Sequence, residues 1–326
     1  DLVRSRGLGD VYKRQVLHQS EHPALPSQIG VPENPVEQPG RADETLVDQP
    51  CPVFQNGKRE LIFMSRPAAS IDTCRLSAHD GLAMCCDHGG HGQPLLLFVH
   101  GWTCRRAYWS WQLKHFATDW RVAALDLPGH GESPANGRKD WSVAALARDV
   151  AACARELDAA EVILIGHSMG GAVALEAARL LSAQARGVIL ADTFVIDYGG
   201  VDADTAQTLA APFEADFAGA IAALVEQTAT AATPEDLKRR LVREMSTADP
   251  AWALPLWRDL LAWTPAAAFA ELRIPLHAIN GDLIPDSARQ RCAPYVLETL
   301  LPGAGHFLQL ENPEAFNRAL TAILSS

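Results

Sequence analysis

From about residue 71 to the C-terminus, short continuous apolar runs alternate with longer stretches in which apolar and charged residues recur at helical spacing. The runs are Leu95–Val99, Val122–Leu125, Val162–Ile165, Gly187–Ala191 and Pro275–Ile279. A run that is apolar at every position, not every second one, predicts a strand covered on both faces. Helical spacing covers about 107–117, 143–157 and 171–181, so strand and helix alternate as in a mostly parallel sheet with helices on both sides. Residues 71–89 read as an antiparallel hairpin turning at His79-Asp80-Gly81, and 313–324 as a closing helix with Pro313 in its first turn.

The strand pattern stops between Thr193 and Phe269. Alanine, leucine and charged residues recur there at helical spacing, broken at Pro212, Pro234, Pro250, Pro255 and Pro265. This predicts a helical insertion that leaves and re-enters the sheet at the C-terminal ends of strands, where open α/β sheets place their sites. A lid over 193–270, between core segments 64–192 and 271–326, is the expected organisation.

The N-terminal region reads differently. Residues 5–15 resemble a translated sequencing-library adapter, so 1–15 are expected to be a scar. Residues 16–63 are rich in Pro, Gln and Glu without a sustained period, as in a disordered or non-native extension, with Met64 as the expected natural start. Across the 326 residues, 48% are hydrophobic and 21% charged, and no apolar run is long enough to cross a bilayer. A net charge of −11 argues against a nucleic-acid or anionic-membrane partner. The seven cysteines are odd in number and lack metal-type spacing, which suggests reduced thiols in a cytoplasmic protein.

Chemistry enters at Glu161-Val-Ile-Leu-Ile-Gly-His-Ser-Met-Gly-Gly171. An apolar strand here runs into a Ser-centred turn and then a small-residue helix. In such an elbow the residues two before and two after the serine nearly touch, and Gly166 and Gly170 omit the side chains that would collide. The turn would expose Ser168 Oγ above the sheet as a nucleophile and place the Met169 N–H at a helix N-terminus, facing a developing oxyanion. A serine hydroxyl needs a base to take its proton. His306, in the glycine-rich loop Leu301-Pro-Gly-Ala-Gly-His-Phe-Leu308 before the last helix, is the one histidine of eleven with that placement.

His100-Gly-Trp102, Asp126-Leu-Pro-Gly-His-Gly-Glu-Ser133, Gly166-His-Ser-Met-Gly-Gly171 and Gly303-Ala-Gly-His306 follow one another as the successive signatures of the α/β-hydrolase superfamily do. Over about 74–324 the chain resembles that superfamily's lidded serine esterase and carboxylesterase branch. The resemblance implies an eight-stranded sheet, a Ser-acid-His triad and no cofactor or metal. It also assigns the second oxyanion donor to the Trp102 N–H, and makes Asp126 and His130 parts of a structural loop. His167 is expected to pack beside the elbow.

The acid departs from the usual pattern, because Asn280-Gly-Asp-Leu-Ile-Pro-Asp286 carries Ile284 where related chains carry Asp. Asp282, nearer the strand end, is the expected triad acid. Asp192, at the end of the preceding strand, is the alternative and Asp286 the third choice. The expected reaction is hydrolysis of small or medium apolar esters through an acyl-enzyme. Aromatic and leucine residues of the insertion (Phe213, Phe217, Trp252, Trp257, Leu261, Trp263) would form an apolar pocket. Perhydrolysis, carbon–carbon bond hydrolysis, or a ligand-binding receptor with slow turnover remain alternatives on the same triad, while Ser168 in place of Asp argues against a dehalogenase or epoxide hydrolase.

Overall fold

A computed structural model describes residues 69–326, so the expectations for residues 1–63 and Met64 lie outside the described residues. The strands are β1 (Ile71–Ser77), β2 (Ala83–Gly89), β3 (Leu95–Val99), β4 (Arg121–Leu125), β5 (Val162–His167), β6 (Ala185–Ala191), β7 (Leu276–Asn280) and β8 (Leu297–Leu300). They form one sheet in the order β1-β2-β4-β3-β5-β6-β7-β8, antiparallel at β1–β2 and β2–β4 and parallel from β4 onward. This is the α/β-hydrolase architecture that the motif order implies.

Strand geometry explains why β3 is apolar throughout. Successive side chains point to opposite faces. Leu96 and Phe98 pack with α1 (Ser110–Phe116) and with the C-terminal helix Pro313–Leu324, through Leu113, Phe116, Phe316 and Leu320. Leu95, Leu97 and Val99 face the other way, with α2 (Val143–Glu156) and α3 (Met169–Leu181), through Val150, Val173 and Leu175. Ser142 caps α2 by accepting from the Ala145 N–H at 3.1 Å.

Five helices lie between β6 and β7: α4 (Ala203–Ala215), α5 (Phe217–Gln227), α6 (Glu235–Met245), α7 (Pro250–Ala262) and α8 (Ala266–Glu271). Asp202, Asp216 and Asp249 cap α4, α5 and α7 through their carboxylates. Three of the five prolines fall at helix starts, as expected. Pro212 and Pro255 instead lie inside α4 and α7. An interior proline forfeits a helical hydrogen bond and costs about 3 kcal/mol. In α7 the burial of Trp252, Leu256, Trp257, Leu260 and Leu261 opposes that cost.

Between β7 and the closing helix the chain forms more structure than its periodicity announces. It makes α9 (Asp286–Cys292), β8, α10 (Leu308–Glu311) and then α11 (Pro313–Leu324). β8 is an edge strand with Leu297 and Leu300 exposed, so it lacks the apolar run of a buried strand. Among the described residues no helix is long and apolar enough to cross a membrane.

Candidate active site

The turn after β5 holds Ser168 at φ 53° and ψ −125°, a left-handed conformation that a serine adopts only under constraint. The constraint is close packing on three sides. A Cβ on Gly166 would fall 2.2 Å from the Gly170 carbonyl oxygen, and one on Gly170 would fall 2.3 Å from that of Val99. A Cβ on Gly171 would overlap Thr193. Met169 begins α3, where the first N–H groups have no helical acceptor and can serve an incoming anion.

The loop after β3 passes directly over this elbow, since a Cβ on Gly101 would lie 3.2 Å from the Ser168 Cβ. It closes as a tight turn, Cys104 N–H to Gly101 O at 3.1 Å, with Trp102 inside it. His100 ties it to the loop after β4. Its Nδ1–H donates to Gly101 O at 2.8 Å and its Nε2 accepts from the Leu127 N–H at 3.1 Å. Burial holds the His100 pKa below the ordinary histidine value, in keeping with that neutral tautomer. Asp126 accepts from the Arg106 backbone and guanidinium and from the Glu132 N–H, within the structural loop the resemblance implies.

His306 lies on the loop between β8 and α10, 7% exposed. Its Nδ1–H donates at 2.8 Å to Oδ2 of Asp192, a residue with no solvent exposure at all. The other carboxylate oxygen of Asp192 accepts the Gly281 N–H at 2.8 Å. Asp192 follows β6 directly, at φ 47° and ψ 39°, and this left-handed kink turns its side chain along the strand ends. With Nδ1–H given to Asp192, the neutral tautomer of His306 carries its lone pair on Nε2.

The structure does not bring Asp282, the expected acid, to His306. Asp282 is exposed, and its carboxylate accepts from the Gly303 N–H at 2.9 Å, at the outer end of the histidine loop. Asp286 is the first residue of α9. The carboxylate beside the imidazole is that of the alternative, Asp192. The physical reason is the turn after β7: Gly281 aims its N–H at Asp192, so that turn supplies a donor to the acid from the neighbouring strand.

His167, the last residue of β5, lies beside the elbow, its ring 4.7 Å from that of His306. Its Nε2–H donates to the His306 carbonyl at 2.9 Å, and burial pushes its pKa well below the ordinary value, so it supports the loop as a neutral donor.

Ser168, His306 and Trp102 line one cavity with Tyr198, Ile196 and Phe307 from the core and Leu224, Thr228, Met245 and Trp257 from the inserted helices. Its lining carries no Lys, Arg, Asp or Glu. Its free volume is about 30 Å³, room for about two waters. Trp102 also anchors the insertion. Its indole N–H donates to Ala253 O in α7 at 2.9 Å, and the ring stacks on Trp257 at 4.6 Å.

A profile of the alpha/beta hydrolase family matches residues 96–319. The dihydrolipoyllysine-residue acetyltransferase component of the acetoin cleaving system of Pseudomonas putida is 30% identical over 247 residues. That match takes in 72% of this chain but only 65% of the relative, so the chain spans just under two thirds of it. The pimeloyl-[acyl-carrier protein] methyl ester esterase of Methylococcus capsulatus is 29% identical over 249 residues, 71% of this chain and 84% of the relative. Among solved structures, an esterase from Exiguobacterium antarcticum superposes with a TM-score of 0.69 at 19% identity, covering 77% of this chain and 99% of its own.

Proposed function

This chain belongs to the alpha/beta hydrolase family, and from the Asp192–His306 bond beside the Ser168 elbow we propose that it hydrolyses uncharged carboxylic esters through an acyl-enzyme. In this reading Ser168 is the nucleophile, His306 the general base and Asp192 the acid that orients it. The methyl ester esterase relative supports the reaction class.

The steps use only groups of this chain and water. Nε2 of His306 takes the Oγ proton while Oγ bonds to the ester carbonyl carbon, whose oxygen becomes an oxyanion between the N–H groups of Trp102 and Met169. Collapse breaks the bond to the alkoxy oxygen, which leaves as alcohol with the proton from His306. Water then repeats the sequence on the acyl-enzyme, releasing the carboxylic acid and restoring Ser168. Losing one oxyanion donor costs about 3 kcal/mol of barrier in comparable sites.

The inserted helices act as a lid. They provide part of the wall of the narrow cavity at Ser168, so their position governs which esters enter. A lining without charged side chains favours a neutral acyl group over a dicarboxylic half-ester, whose free carboxylate would be desolvated unpaired.

A fluorophosphonate probe tests this directly. Wild-type protein is expected to label at Ser168, Ser168→Ala to remain unlabelled, and nitrophenyl esters with neutral acyl chains to turn over repeatedly. Failure of the wild type to label, or a single turnover with retained ligand, defeats the proposal.

A further inference from the structure

The backbone around His306 is held from three directions. Its N–H donates to Thr228 O at 2.9 Å, at the C-terminal end of α5, and its carbonyl accepts from His167. The third hold comes from Glu311 in α10. One carboxylate oxygen accepts the Gly305 N–H at 2.7 Å and the other the Phe307 N–H at 3.3 Å, so a single side chain grips the residues on either side of His306.

The loop is built to admit that grip. A Cβ on Gly305 would lie 2.7 Å from Glu311 Oε1 and 2.9 Å from Thr228 O, so only glycine lets the peptide sit between the carboxylate and the inserted helices. Thr230 Oγ1, from the same stretch after α5, donates to Gly303 O at 2.8 Å and holds the start of the loop. Burial raises the Glu311 pKa, opposed by the Gly305 and Phe307 N–H groups, the Thr233 hydroxyl and the field of His306. Desolvation outweighs these donors, so the Glu311 carboxyl sits above the ordinary glutamate value even with both N–H groups on it.

We propose that Glu311 is a positioning residue for the reaction: by bridging the N–H groups of Gly305 and Phe307 it fixes the peptides flanking His306 and holds the imidazole between Asp192 and Ser168. It touches neither substrate nor the reacting atoms. The inference rests on the triad reading above, and it adds a requirement that the triad alone does not contain. Displacement of a catalytic group by about 1 Å costs up to about 100-fold in rate.

The experiment compares Glu311→Gln and Glu311→Met with wild type in three readouts. These are kcat and KM on a nitrophenyl ester, the rate of fluorophosphonate labelling at Ser168, and the downfield proton resonance of the His306 Nδ1–H. Glu311→Met, which removes both acceptors at similar length, is expected to lower kcat and the labelling rate together by about 10- to 100-fold, with KM within about threefold and the resonance broadened or lost. Glu311→Gln keeps one acceptor and is expected to fall between the two. A folded Glu311→Met that labels at the wild-type rate overturns the inference while leaving the triad intact. If that variant does not fold, Glu311→Gln decides, and wild-type labelling and resonance in it overturn the inference. Wild type that does not label at Ser168 removes the triad reading and this inference together.

Discussion

Asp192→Asn tests the acid most sharply, because the structure leaves the replacement no good arrangement. The side chain is fully buried and both oxygens are used, one by His306 Nδ1–H and one by the Gly281 N–H, each at 2.8 Å. An asparagine has one acceptor and one donor group. If its oxygen faces His306, its NH2 confronts the Gly281 N–H. If it turns over, His306 must present Nδ1 as an acceptor, which moves the ring proton to Nε2, where the serine proton should go. The unsatisfied buried donor costs about 1–3 kcal/mol of stability. Loss of the correct tautomer costs about 10³- to 10⁴-fold in kcat, or roughly 4–5.5 kcal/mol of barrier, by analogy with the serine-protease triad.

Asp282→Asn is the matched control. It keeps an acceptor for the exposed Gly303 N–H, so stability is expected to change by less than about 0.5 kcal/mol and kcat by less than about twofold. Steady-state hydrolysis of a nitrophenyl ester, normalised to the folded fraction from a urea titration, reads both variants. If Asp282→Asn loses activity while Asp192→Asn retains it, the assignment drawn from the hydrogen bonds is wrong.

Three further outcomes follow from the geometry. Gly166→Ala places a methyl against the Gly170 carbonyl, so a loss of at least about 1–3 kcal/mol in denaturant stability is expected together with loss of fluorophosphonate labelling. Trp257→Ala removes a cavity wall and the partner stacked on Trp102, and should raise kcat/KM for long acyl chains relative to acetate esters; an unchanged chain-length profile would show that Trp257 does not bound the acyl site. His100, His130 and His167 are buried with lowered pKa values, so they are neutral when folded but bind protons in the unfolded chain below its histidine pKa of about 6.5. Their stability contribution is complete above that pH and is lost as pH falls toward the folded values, at up to about 1.4 kcal/mol per pH unit for each histidine. Urea midpoints at pH 7.5 and 5.5 should therefore fall on acidification, and His167→Gln should shrink the drop.

The central strands and the elbow were legible because burial writes them into the sequence. A strand covered on both faces must be apolar at every position, and a serine at φ 53° needs small neighbours, so LLLFV and GHSMG announce themselves. β8 was not legible for the opposite reason: at the sheet edge Leu297-Glu298-Thr299-Leu300 is mostly exposed, and its strand state comes from pairing with β7. Pro212 and Pro255 misled as helix breaks, because burial of apolar neighbours can outweigh a local propensity. Glu311 left no signal, since it acts by hydrogen bonds to the backbone of other residues, which no side-chain pattern records; for His167 the place beside the elbow was legible, but not its bond to the His306 carbonyl.

The proposed acid, Asp192, lies at the level of the sheet that the local pattern indicated, but on the neighbouring strand. β6 and β7 are parallel neighbours with Ala191 opposite Ile279, so their next residues, Asp192 and Asn280, end at the same level of the sheet. From that level a carboxylate on either strand is near the histidine loop, and spacing alone does not choose between them. The choice is made by the turn after β7. Gly281 is pressed so close to the loop that a Cβ would lie 2.4 Å from the Ala304 carbonyl oxygen, and its N–H is committed to Asp192. Asp282, one residue on, donates its N–H to Ala304 O at 3.0 Å and accepts from Gly303, so it shapes the loop from the outside. The segment that resembles the acid's usual home thus holds both ends of the Asp192–His306 hydrogen bond, the Asp192 carboxylate through Gly281 and the His306 loop through Asp282. On this account Gly281→Ala should reduce activity nearly as much as Asp192→Asn, because it displaces the loop and the acid's second donor together. Full activity in a folded Gly281→Ala variant would refute it.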